Sequence, residues 1–198
     1  MTRIGVLALQ GAFIEHIKML RKLGVEAVEV RLPGDLQGLD GLIMPGGEST
    51  TIGKLAVEFG LIEPLRDFAR TYPTWGTCAG MIFLAKNLGH NVQPILGVMD
   101  ITVDRNAFGR QIDSFEADLD IALFPDSPYH TIFIRAPVVT AVEKGVDVVG
   151  RLDDGRIVAV QEGHLLATSF HPELTDDLRF HQYFLKMVQM PKYSPSQK

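Results

Sequence analysis

Cysteine occurs once in this chain of 198 residues. No internal disulfide can form, so an oxidising compartment offers the fold nothing, and a cytoplasmic location is expected. Long apolar runs are missing too: none approaches the roughly 20 residues that a membrane helix requires. The run from Ile4 to Leu9 is too short for the apolar region of a signal peptide and reads as a first strand. Positive charge is in deficit, with 19 Lys and Arg against 24 Asp and Glu and a formal net charge of -5. That balance excludes a nucleic-acid face or an anionic membrane surface, which need clustered Lys and Arg. H-E-x-x-H and paired-thiol patterns are absent, so no metal is expected. No cofactor is expected either.

What is present is ordinary for a globular chain: 46% hydrophobic and 22% charged residues. "RIGVLAL", "VEAVEV" and "LDGLIMPGG" read as buried strands. A helical pattern at Phe13, Ile17, Leu20 and Leu23 follows the first of them. Helices are expected over 50–58 and 61–70, then the short strand "PTWGT", then a helix over "AGMIFLAKNL". This alternation predicts an α/β fold, a three-layer sandwich around a mostly parallel sheet. After residue 97 the texture changes to strands with little helix between them: "GVMDITV", "SFEADLDIAL", "TIFIRAPVV", "VDVVGRL", "RIVAVQ" and "HLLATSF". These extra strands extend the sheet or form an antiparallel layer beside it, and "LDDGRI" carries a hairpin signal. A last helix places Phe180, Tyr183, Phe184, Met187 and Val188 on one stripe. One domain is expected over 1–190, with a flexible tail over 191–198.

The lone thiol, Cys78, lies in "GTCAG" between a strand and a helix. This is the context of a nucleophile elbow, G-x-S-x-G with Cys for Ser. The turn needs residues without bulk on either side, which Gly76 and Gly80 supply. A following helix N-terminus favours the thiolate. The alternative is a buried structural cysteine. His171, just past the apolar strand "LLATSF", is the candidate base, because functional groups of such sheets gather at the carboxyl ends of strands. Glu173, two residues on, is placed to hold the imidazole in one tautomer. The other five histidines, His16, His90, His130, His164 and His181, read as structural or solvated, in helices or loops without partner spacing. "MPGGESTTIGKL" fails as a phosphate loop: five residues separate Gly47 from Gly53, and Leu55 stands where Ser or Thr belongs. It reads better as a loop whose Gly47 N–H, with that of Ala79, forms an oxyanion hole.

G-x-C-x-G followed by a strand ending in His-Pro-Glu resembles the class I glutamine amidotransferases. Within that class the chain is similar to the glutaminase subunits of pyridoxal phosphate synthases. The resembling stretches are "IGVLALQGAFIEH", "PGGESTT", "GTCAG", "RNAFGRQIDSFEADL", "FIRAP" and "SFHPELTDD". The resemblance implies Cys78 as nucleophile, with His171 and Glu173 completing the triad, and a γ-glutamyl thioester intermediate. It implies a site for L-glutamine lined by Gly47, Glu48, Ser49, Arg105, Ile134 and Arg135. The partner it implies is a synthase subunit that accepts the ammonia, and Gln10 and Gly11 are placed where that partner can reorganise the loop around Gly47. Ala107 departs from the family pattern, where a Ser is expected.

Three other readings stay open on the sequence. A Cys-dependent peptidase or deglycase uses the same type of sheet, though with its His soon after the Cys. A non-catalytic binding module is disfavoured by the intact Cys78, His171 and Glu173. A glutaminase serving a different ammonia acceptor fits the same residues.

Overall fold

The computed structural model of the chain describes residues 1–106 and 114–190. Apolar runs form the first four strands: β1 (Arg3–Leu7), β2 (Glu26–Val30), β3 (Gly41–Met44) and β4 (Thr74–Thr77). Helix α1 (Phe13–Lys22) joins β1 to β2. Helices α2 (Ser49–Glu58) and α3 (Ile62–Thr71) lie between β3 and β4, and α4 (Ala79–Leu84) follows β4. The second half supplies β5 (Ala85–Asn87), β6 (Met99–Asp104), β7 (Ser114–Leu119), β8 (Tyr129–Ile134), β9 (Val138–Val142), β10 (Asp147–Arg151), β11 (Ile157–Glu162) and β12 (Leu165–Thr168). Helix α5 (Arg179–Gln189) comes last.

The large sheet runs in the order β2-β1-β3-β4-β12-β11-β9-β6-β5, with β10 also paired to β11. From β2 to β12 every pairing is parallel. From β12 to β6 the pairings are antiparallel. The late strands therefore do both things expected of them. Most extend the sheet, while β7 and β8 form a separate antiparallel ribbon. The "LDDGRI" hairpin forms between β10 and β11, closed by the Leu152 N–H on Arg156 O.

Helices cover both faces, giving three layers. On one face Ile52, Ala56, Leu65, Phe68 and Met81 from α2, α3 and α4 pack on Leu42, Val160 and Leu165. On the other, Ile17 and Leu20 of α1 and Phe180 and Phe184 of α5 pack around Trp75, with Tyr129 and Phe133 of the ribbon. Removing such side chains from water, at about 25 cal/mol per Å² of apolar surface, is the main force holding the layers together.

Two expected elements differ. The helix over 79–88 stops at Leu84, where Ala85 turns extended (φ -60°, ψ 144°). The returning chain takes its last carbonyls: Leu96 N–H bonds Phe83 O at 2.8 Å and Val98 N–H bonds Leu84 O at 3.0 Å. Ala85 then pairs with Met99 as β5. The run "TIFIRAPVV" is two strands, because Arg135 adopts a positive φ of 44° and Pro137 cannot donate to a ladder. Ala107, most of the "RNAFGRQ" block and the expected tail over 191–198 lie outside the described residues.

Candidate active site

β4 and β12 are neighbouring parallel strands, Thr77 opposite Thr168, so the residues just past each end meet at one edge. Cys78 follows β4 in a strained backbone conformation, φ 49° and ψ -105°, that non-glycine residues rarely adopt. Its N–H is pinned to Thr168 O at 2.8 Å. The elbow holds because its flanks are bare. A Cβ on Gly80 would lie 1.9 Å from Met44 O, and one on Gly76 would lie 2.4 Å from Gly80 O. The N–H of Ala79 opens α4 and has no helix carbonyl to bond.

His171 sits just past β12 beside Cys78, the two side chains flanking Gly46, and it interacts electrostatically with the thiol. Its Nδ1–H donates to Glu173 Oε1 at 2.6 Å. Pro172 and Glu173 are in a single 3-10 turn, Pro172–Leu174, which carries the carboxylate back under the ring. His171 is 7% exposed and Glu173 5%, so their attraction is little screened by solvent. Burial opposes charge on His171, but its interactions with Cys78 and Glu173 together outweigh it and raise its pKa to about 10. An imidazolium between a sulfur and a carboxylate is thus the favoured state.

The glycine loop after β3 closes this edge from the side. Ala12 N–H donates to Gly46 O at 3.0 Å and Glu48 N–H to Gln10 Oε1 at 2.7 Å, tying the loop to the turn after β1. Glu48 caps α2, accepting from Thr50 N–H, Thr51 N–H and the Thr51 hydroxyl. The Thr51 hydroxyl leads the causes that hold its carboxyl down at about 2, against an opposing desolvation that the backbone bonds from Thr50 and Thr51 help to overcome. A carboxylate thus occupies the helix end where a phosphate loop would keep its N–H groups for a phosphate. Arg105, past the end of β6, reaches Glu48 Oε1 at 3.5 Å. Ser49 is buried and donates to Gln93 Oε1 at 3.3 Å. Ile134 offers its carbonyl 3.8 Å from Cys78 Sγ, and Arg135 follows it. Cys78, His171 and Glu173 are therefore together. Glu48, Ser49 and Arg105 gather at the start of α2, and Ile134 borders the thiol directly.

Sequence reasoning missed two things. Gly46, not only Gly47, is packed into the site: a Cβ there would lie 2.4 Å from His171 Cε1 and 3.2 Å from Cys78 Cβ. Two histidines read as structural or solvated, without partner spacing, are buried and do have partners: His16 lies beside Glu173 and His181 beside His16. His16 Nε2 stands 3.3 Å from Glu173 Oε2, and His16 Nδ1 is 3.0 Å from His181 Nε2. The signal was available, since His16 lies three residues from Phe13 and beside Ile17 on the apolar stripe of α1. His130 also differs: it lies on β8, where Asp118 and then Glu116 raise its pKa. Among the described residues, no group of three or more His, Cys, Asp or Glu is arranged to hold a metal ion.

With this geometry in place, the comparisons with known proteins are decisive. The model of the SNO glutamine amidotransferase family matches residues 6–190. The chain belongs to that family. A pyridoxal 5'-phosphate synthase subunit PdxT from Herpetosiphon aurantiacus is 58% identical over 186 residues, covering 92% of this chain and 98% of the relative. A protein of the same name from Moorella thermoacetica is 56% identical over 187 residues, covering 94% and 99%. A crystal structure described as a glutamine amidotransferase superposes with a TM-score of 0.88 at 51% identity, covering 94% of this chain and 98% of its own. As a glutamine amidotransferase, the chain is an enzyme whose reaction begins at glutamine.

Proposed function

We propose that this chain is the glutaminase subunit of a pyridoxal phosphate synthase. The observation that carries the reading is His171, bonded to the Glu173 carboxylate, beside the Cys78 thiol at the carboxyl edge of β4 and β12. Cys78, as thiolate, attacks the side-chain amide carbon of L-glutamine. The N–H groups of Gly47 and Ala79 receive the charge that develops on the amide oxygen. The tetrahedral intermediate collapses as the His171 imidazolium gives its Nε2 proton to the departing nitrogen, releasing ammonia and leaving a γ-glutamyl thioester. His171, now neutral, takes a proton from water, which attacks the thioester to give L-glutamate and restore the thiolate. Glu173 keeps the ring in the Nδ1–H tautomer through both steps. Arg105 suits the α-carboxylate of glutamine and Glu48 its α-ammonium, with Gly47, Ser49, Ile134 and Arg135 around them.

Ammonia lost to bulk water becomes ammonium and no longer reacts, so release onto an acceptor subunit is the economical arrangement. The relatives' names support a synthase as that acceptor. We place the enzyme in the cytoplasm as one domain over residues 1–190. Glutamate release, measured with and without the synthase subunit, tests the proposal. A low rate alone, raised on titrating the partner and abolished in Cys78→Ala, is expected. Full activity surviving in Cys78→Ala would sink the mechanism, and a full rate without the partner would remove the coupling but leave the chemistry.

A further inference from the structure

Two histidines that this chemistry does not use lie sealed behind Glu173. His16 on α1 and His181 on α5 are both fully buried, where polar groups are as a rule hydrogen-bonded. Glu173 spends Oε1 on His171. Its Oε2 is shut off from water, and among the described residues no hydrogen bond of full geometry reaches it. The donor it faces is His16 Nε2 at 3.3 Å, which also faces Thr77 Oγ1 at 3.2 Å. One ring nitrogen thus bonds the hydroxyl of the residue before the nucleophile and lies against the carboxylate behind the base.

The tautomers follow from the carboxylate. A bare Nε2 would turn its lone pair on Glu173, so His16 carries its proton there and accepts at Nδ1. His181 must then donate from Nε2, across 3.0 Å, which leaves its own Nδ1 bare and without a donor. A buried acceptor without a donor is the more tolerable defect, since orphaned N–H groups are rarer. Trp75 presses edge-on against both rings, with centroids 5.6 Å from His16 and 5.0 Å from His181, and fixes their planes.

We propose that His16 is a positioning residue that holds the Glu173 carboxylate in its orientation toward His171, and that His181 fixes the tautomer in which it does so. The row reads His181 to His16 to Glu173, with His171 on the other oxygen. The charged or titratable groups facing His16 are His181 from α5 and Glu173 and His171 from the turn after β12. Thr77 is polar and uncharged, and Tyr129 on β8 feels the Glu173 charge from farther off. Burial lowers the pKa of both inner histidines, so both stay neutral donors at working pH. Without His16 Nε2 at 3.3 Å the carboxylate loses the neighbour that orients it on the His171 ring. The 2.6 Å bond from His171 to Glu173 is then no longer held in line, and the ring that faces the thiol shifts with it.

The inference rests on the triad reading, and its test separates the two. Cys78 is the only cysteine, so iodoacetamide alkylation of the full chain reports one site. His16→Gln puts an amide nitrogen near the position of Nε2, whereas His16→Asn reaches only as far as Nδ1. The pH midpoint of alkylation should rise by about one unit in His16→Asn, slowing alkylation about tenfold on the acid side. His16→Gln should restore the native midpoint. With synthase present, His16→Asn should lower kcat about tenfold at an unchanged KM for glutamine. A packing role would move both variants alike, so a common shift, or none in either, overturns the proposal. Failure of the triad reading shows elsewhere, as glutamine hydrolysis surviving in Cys78→Ala.

Discussion

Between Cys78 and His171 there is room for a glycine and nothing larger. A Cβ on Gly46 meets the His171 ring, and that ring cannot swing away without breaking its 2.6 Å bond to Glu173. Gly46→Ala should therefore fold but lose glutaminase activity by about a hundredfold, as expected when a reacting group is displaced by about an ångström. Steady-state rates on the folded variant decide this, and near-native kcat would refute the packing argument. Glu173→Ala should retain more activity than His171→Asn, because the carboxylate orients and charges the base without itself moving the proton. Equal losses would place Glu173 in the chemistry directly.

At the scale of elements, the site depends on how closely α4 approaches β3. Gly80 lies against Met44 O with no space for a methyl group, and Gly76 lies against Gly80. Gly80→Ala must push α4 off the sheet, which should cost about 1–3 kcal/mol of stability. Urea unfolding measures this, and an unchanged midpoint would mean that the helix has slack. These glycines were legible in the sequence, because G-x-C-x-G names the turn that needs them. The end of α4 at Leu84 was not. "AGMIFLAKNL" is apolar enough for a helix throughout, and only the segment Leu96–Val98, returning to bond Phe83 O and Leu84 O, stops it. The division of "TIFIRAPVV" was half legible, since Pro137 is visible in the sequence while the positive φ of Arg135 is not.

For the whole molecule, buried histidines set the pH range of stability. The pKa of His16 is lowered and that of His181 falls to about 3 in the fold, so both are neutral when folded and protonate on unfolding below about 6.5. Their contribution is present above that pH and lost as pH falls. His171 is the opposite case. Raised to about 10, it contributes fully below about 6.5, and that contribution is lost as pH rises toward 10. Stability should therefore peak near neutrality. Between about pH 6 and 5, above the carboxylate range, the acid slope should approach about 1.4 kcal/mol per pH unit for each inner histidine. Urea unfolding across that window should show His181→Gln with roughly half the native slope. A slope unchanged by the substitution would mean that other groups control the acid limb.

The sequence by itself determined what is local along the chain. Gly76, Cys78 and Gly80 are spaced for the elbow, His171 and Glu173 are two residues apart in one turn, and Asp154-Gly155 marks the hairpin. Each of these depends on backbone geometry over a few residues, which residue type and spacing specify directly. Tertiary structure decided what joins distant segments. It set β12 beside β4, which brings His171 to Cys78 across 93 positions. It also drew Arg105 to Glu48 and stacked His181 and His16 behind Glu173. Those contacts follow from strand order and from two helices burying their apolar stripes on one face of the sheet. Charge and tautomer follow in turn from the burial, which no spacing along the chain encodes.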